Sequence, residues 1–139
     1  MKPILIAATM LSASLLTGRP AAAHHSFAMF DQSKVVTLDG TVKDFQWVNP
    51  HVVLWVLAPS PDAAADAAPD TWTVELTSPG NLTRLGWTRR SLNPGDKVKV
   101  EIAPLRDGTH GGGFRKVTLV DSGQVLTSSF KDLQKADAE

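Results

Sequence analysis

Four histidines, His24, His25, His51 and His110, are the only imidazoles in this 139-residue chain, and it contains no cysteine. Thiolate metal sites, disulfides and thiol nucleophiles are excluded together, so transition-metal chemistry would have to run through ring, amine or backbone nitrogen. Two of the histidines stand side by side behind Ala21-Ala22-Ala23. A chain cut after Ala23 begins at His24, and a first-position histidine offers its α-amino nitrogen and a ring nitrogen to one ion. A second ring completes a T-shaped copper site. His51, directly after Asn49-Pro50, is the expected third nitrogen. A cut one residue earlier makes His25 the third residue, where the amine, two backbone amides and the ring favour square-planar Cu(II) or Ni(II). Against this stands a plainer reading. Paired histidines behind a leader also occur as a solvated end, and a lone histidine after Asn-Pro also serves as a turn residue. His110 lies in a glycine-rich loop that tethers a ligand poorly. Met29, between Ala28 and Phe30, suits core packing better than axial ligation of copper.

The metal reading depends on processing. Lys2 precedes an apolar run from Ile4 to Leu16, followed by Gly18, Arg19, Pro20 and three alanines. A charged start, a short apolar middle and a small-residue end describe a secretory signal peptide, expected over residues 1–23, and imply a periplasmic or secreted protein. The apolar run is short for a bilayer span, so no membrane span is expected after cleavage. Basic and acidic residues balance at 14 each, and removal of Lys2 and Arg19 leaves 12 basic against 14 acidic. Nucleic acid is not an expected partner.

The elements that must position these residues follow from periodicity. In the stretch from Val35 to Leu57, Val36, Leu38 and Val42 alternate with Thr37, Asp39, Thr41 and Lys43, the period of a half-buried strand. Gly40 interrupts the apolar row and suits a sharp bend at a barrel corner. At Asp44-Phe45 the parity slips by one, which calls for a bulge. Asn49-Pro50 breaks the ladder, and a second strand is expected from His51 to Leu57, apolar enough to be covered on both faces. An arm, residues 24–34, carries Phe27, Met29 and Phe30, and is expected to cover the outward side of that second strand. Ala58 to Asp70 reads as an exposed hairpin loop. A third strand, Thr71 to Thr77, leads into Ser78-Pro79, a helix start with serine as cap and proline at the first position. Asn93-Pro94-Gly95-Asp96 is a turn into a fourth strand carrying Val98, Val100 and Ile102. Arg106 to Gly113 reads as a loop, Phe114 to Val120 as a fifth strand, and Gln124 to Leu126 as a short return.

Three strands, a short helix and two strands is the order of an OB-fold-like five-stranded barrel, so the expected class is all-β, over residues 35–126, with residues 127–139 as a polar tail. A β-sandwich is the alternative. Catalysis finds little support: no nucleophile elbow is present, and the carboxylates Asp31, Asp39, Asp44, Glu75, Glu101 and Asp107 fall on solvated faces or in turns. Trp55, Trp87 and Arg84 are the surface residues best suited to a protein or glycan partner in the cell envelope. Arg84, Arg89 and Arg90 also fit the plainer role of cations at a helix C-terminus.

His24-His25-Ser26-Phe27 behind the leader, Gly40-Thr41-Val42, Trp47-Val48-Asn49-Pro50-His51, Ser78-Pro79, Gly86-Trp87 and Pro94-Gly95-Asp96 together resemble a family of small exported bacterial proteins classified only as a domain of unknown function. The likeness spans roughly residues 24–126. It implies export and a single β-rich domain, draws attention to His24, His25 and His51, and implies no activity. The sequence thus leads to two expectations: a non-enzymatic binding module with a copper or other transition-metal site at His24, His25 and His51, or an envelope interaction protein that uses its barrel face.

Overall fold

The computed structural model describes residues 28–64 and 66–129. The chain runs β1 (Val36–Gln46), β2 (Val53–Ala58), β3 (Asp70–Glu75), α1 (Pro79–Arg84), β4 (Lys97–Pro104), β5 (Gly111–Leu119) and β6 (Val125–Thr127). Strands follow the order β3-β2-β1-β4-β5-β6, and a parallel pairing of β3 with β5 closes the first five into a barrel. With α1 between β3 and β4, this is OB-fold topology. One sheet closed on itself excludes the sandwich.

β1 serves two partners in succession. Val36–Thr41 pairs with β4 and Thr41–Gln46 with β2, so the strand must turn a corner near Gly40. There the chains approach so closely that a Cβ on Gly40 would fall onto the carbonyl oxygen of Leu57 and lie 2.9 Å from the Cβ of Ala58. The expected parity slip is a bulge between Val42 and Asp44, with Lys43 as the extra residue. It returns Phe45 to the inward row opposite Leu54.

The seam that closes the barrel is glycine. Gly111, Gly112 and Gly113 pair with Thr73, Val74 and Glu75, so the run read as loop is the first third of β5. A Cβ on Gly112 would meet the Ala103 carbonyl oxygen at 2.5 Å and Ile102 Cδ1 at 2.8 Å. A Cβ on Gly111 would lie 2.9 Å from the Thr73 carbonyl oxygen, so side chains on these glycines would hold β5 away from both β4 and β3.

Inside, Leu38, Val42, Leu54, Val56, Val74, Val98, Val100, Ile102 and Val117 form the core, each at most 2% exposed. Full burial of one such side chain contributes about 1.5–3 kcal/mol. α1 adds Leu82 to this core. Ser78 caps it by accepting from the Asn81 N–H, and Pro79 opens it, as the Ser-Pro pair requires. Its end is a Schellman turn: Gly86, at φ 85°, donates to the Thr83 carbonyl, and Trp87 donates to that of Leu82.

The arm lies elsewhere than expected. Phe30 bridges to Leu105, Asp31 N–H donates to Pro104, and Arg106 N–H donates to Met29, which fixes residues 28–31 beside β4 and β5 rather than over β2. The Phe30 ring fits there because Gly113 has no side chain; a Cβ would sit 3.1 Å from it. Among the described residues no helix is long and apolar enough to cross a membrane.

Two glycine substitutions test the close approaches. Gly40→Ala and Gly112→Ala each cost about 1–3 kcal/mol by overpacking. Gly80→Ala, with nothing within 4 Å of the new Cβ, shifts stability by less than about 1 kcal/mol, in the stabilising direction. Urea unfolding of the three variants measures the contrast.

Candidate functional site

β5 shares one edge between two partners. β3 holds it at Gly111–Gly113 and β6 at Lys116–Thr118, and the interval between them is an opening in the barrel wall. A cleft of about 350 Å³ lies at this opening. Phe30, Leu76 and Phe114 form its apolar wall, and Gln32, His51, Glu75, Thr77 and Ser128 its polar one.

His51 reaches the cleft because the β2–β3 ladder continues past the regular strands. Val52 N–H donates to Thr77 and Leu76 N–H donates to Val52, while Val53 lies opposite Glu75, so residue 51 is the diagonal neighbour of residue 75. The Nδ1 of His51 then pairs with Oε1 of Glu75. A carboxylate only accepts, so the contact puts the ring proton on Nδ1 and leaves the lone pair on Nε2. Among the described residues Nε2 has no partner, and the side chain is 39% exposed. This is the arrangement in which an imidazole is oriented to ligate a metal, its second nitrogen held by a carboxylate. Read from alternation alone, Glu75 is a solvated strand residue. Its pairing with His51 becomes visible only once the hairpin register is known.

Arg115 stands near this site as the extra residue of a second bulge, between Phe114 and Lys116. Its Nη2 donates to the Gln32 carbonyl at 2.6 Å, while its buried Nε has no hydrogen-bond partner. The arm is thereby tied to β5 at the rim of the cleft.

The remaining expected residues are dispersed. His24 and His25 lie outside the described residues. His110 is at the other end of β3, with Nε2 3.1 Å from Ser60 Oγ and its ring 4.8 Å from that of Trp72. Ser60 gives its one proton to Asp70 at 3.0 Å, so the contact with His110 requires the ring to be the donor. The serine proton is directed away from the imidazole, and the trio does not form a nucleophile–base pair. At roughly 3.3 Å per residue along β3, the Asp70 and Glu75 ends are about 17 Å apart, so His51 and His110 do not share an ion. Among the described residues no three of His, Asp and Glu gather around one point.

Trp87, expected on the surface, is 2% exposed. As the residue after the helix-ending glycine it folds back over Leu82, and its indole N–H donates to the Thr127 carbonyl at 2.8 Å. It is a core residue and offers no face to a partner. Arg84 is exposed in the last turn of α1 and bonds Asn81 Oδ1 at 3.1 Å. Trp55 points outward from β2, half-buried.

The sequence model of a family of unknown function (DUF6152) matches residues 13–114, which include the arm, β1 to β4 and both His51 and Glu75. No curated protein and no solved structure matches the chain.

The arm also carries an acid-sensitive anchor. The Ser33 hydroxyl, 2.6 Å from Asp31 Oδ1, is the main cause that holds this carboxyl below its usual value of 3.8; the Ser33 N–H and Lys34 add to it, and partial desolvation opposes it. A depressed folded value means that the carboxylate's contribution is complete above the ordinary pKa and is lost as pH falls through the lower one. Amide protection factors of Asp31 and Arg106, read by hydrogen exchange, are therefore expected to fall below pH 3.8. Asp31→Ala shows the same loss at neutral pH.

Proposed function

The chain belongs to a family to which no function is attached, and from its own residues we propose that it is an exported, non-enzymatic binding module that takes Cu(II), or a similar transition ion, at the β3–β5 cleft. His51 supplies Nε2, and His24 and His25 at the processed N-terminus supply the amine and the remaining nitrogens. One observation carries this reading: Phe30 lines the same cleft as His51. Four residues separate His25 from Phe30, and an extended chain covers about 3.3–3.6 Å per residue, so chain length bounds the distance of the terminal imidazoles from this wall to roughly 20 Å. Glu75 supports the same role by fixing the ring and its tautomer. The absence of cysteine suits Cu(II), which accepts nitrogen ligands without thiolate.

Copper titration of the chain released by its own leader, followed by electron paramagnetic resonance, tests the assignment. About one Cu(II) binds per chain with a nitrogen-rich signal. His51→Ala and a methionine retained ahead of His24 each weaken binding at least about tenfold, Glu75→Leu weakens it by about tenfold through loss of ring orientation, and His110→Ala leaves it unchanged. Equal copper affinity of the wild type, the His51→Ala variant and the methionine-extended chain overturns the site.

A further inference from the structure

A second surface, centred on Trp55, lies on the outside of the β1-β2-β3 sheet. Along β2, Val53, Trp55 and Leu57 face outward while Leu54 and Val56 enter the core. Strand register fixes what flanks the indole: Trp55 lies opposite Asp44 on β1 and Thr73 on β3. Gln46 is the next outward residue on β1 and bonds Asp44 Oδ2 at 3.2 Å through its amide. Directly opposed Cβ atoms in such ladders are about 4.5–5.5 Å apart and diagonal ones about 7–8 Å, so a carboxylate and a hydroxyl border the ring of Trp55 and the Gln46 amide stands diagonal to it.

Charge and polarity select the occupant. Two carboxylates, Asp44 and Glu75, share this face with one cation, Lys43, whose Nζ is on Thr71 Oγ1 at 3.2 Å. A polyanion such as nucleic acid or an acidic polysaccharide meets repulsion here. A protein interface wants a broad apolar centre, whereas here a single half-buried row, Val53, Trp55 and Leu57, runs between strands whose outward residues, Thr41, Asp44 and Gln46 on one side and Thr71, Thr73 and Glu75 on the other, are polar. A neutral pyranose has the matching chemistry: an apolar C–H face to stack on an indole, and hydroxyls at its rim that donate to a carboxylate and accept from an amide or hydroxyl.

We propose that this face binds a neutral glycan, with Trp55 as the stacking platform and Asp44, Gln46 and Thr73 as the groups that read the sugar hydroxyls. Its register-matched flanks set the orientation, and its acidic balance repels anionic chains.

The test uses ¹⁵N-labelled mature protein in EDTA, titrated to millimolar concentration with chitohexaose and, separately, laminarihexaose. Amide shifts concentrated in residues 41–46, 53–57 and 71–75 for at least one of the two are expected. Trp55→Ala weakens binding at least about tenfold and Trp55→Phe by less, as loss of a stacking ring requires. Thr73→Val, which preserves strand shape, weakens it by roughly threefold to tenfold through one lost hydrogen bond. Amide spectra of the unbound variants that keep the wild-type dispersion certify the fold. Absence of shifts with both sugars, shifts on another face, or a Trp55→Ala variant that binds as tightly as wild type overturns the proposal. So does Trp55-dependent capture of an envelope protein by a chain that ignores both sugars.

Discussion

The barrel exists because backbone meets backbone where no Cβ fits. At Gly40 the corner of β1 presses on the Leu57 carbonyl, and at Gly111 to Gly113 the first third of β5 lies against β3, β4 and the arm. These contacts decide more than closure. The pairing of Gly113 with Glu75 fixes the height of β3 against β5, and the bare Gly113 lets the Phe30 ring lie down beside it. The seam is only three residues long, so the edge of β5 passes to β6, and the gap between the two pairings becomes the cleft. His51 and Glu75 meet there because the β2–β3 register brings the start of β2 level with the end of β3, where the wall closes.

Much of this was legible in the residues wherever the signal was local. Alternation located β1 to β4, the parity slip marked the bulge near Lys43, and Ser78-Pro79 announced α1. What escaped was non-local. Glycine has no hydrophobic parity, so Gly111 to Gly113 looked like a loop until their neighbours were known. The arm's contact with Leu105 joins residues far apart in sequence, which no window of periodicity detects. Trp87 looked like the end of a helix, and only the Schellman turn shows that the chain reverses it into the core. Of the expected metal nitrogens, the described residues contain His51 alone, and its carboxylate partner was hidden by an alternation that labels Glu75 simply as outward.

The tryptophans divide by environment rather than by type. Trp72 and Trp87 are core, and Trp87 is the hub of an aromatic run in which Phe45 lies 6.1 Å and Phe114 5.5 Å from its ring centre. Trp47 joins at the edge through Phe45. Phe114, at the far end of this run, is also a wall of the cleft. The apolar wall of the cleft is therefore continuous with the aromatic part of the core. A change there is felt through rings in contact rather than through loops. Trp55 alone of the four stands on the outer side of the sheet, and Glu75 marks the edge at which that face meets the cleft.

β5 touches nearly everything: β3 and β6 share one of its edges, β4 occupies the other, and the arm is tied to it through Arg115 and Gly113. Such a hub arrives late in synthesis. A nascent chain that ends before residue 111 can assemble only an open ribbon, β3-β2-β1-β4, with hydrogen-bonding groups bare along two rims. The arm finds its backbone partners on Pro104, Leu105 and Arg106, just ahead of that strand, and gains Arg115 and Gly113 only with it. Assembly is thus held back until most of the polypeptide has been made, and a shortened product would present a sticky sheet rather than a smaller barrel.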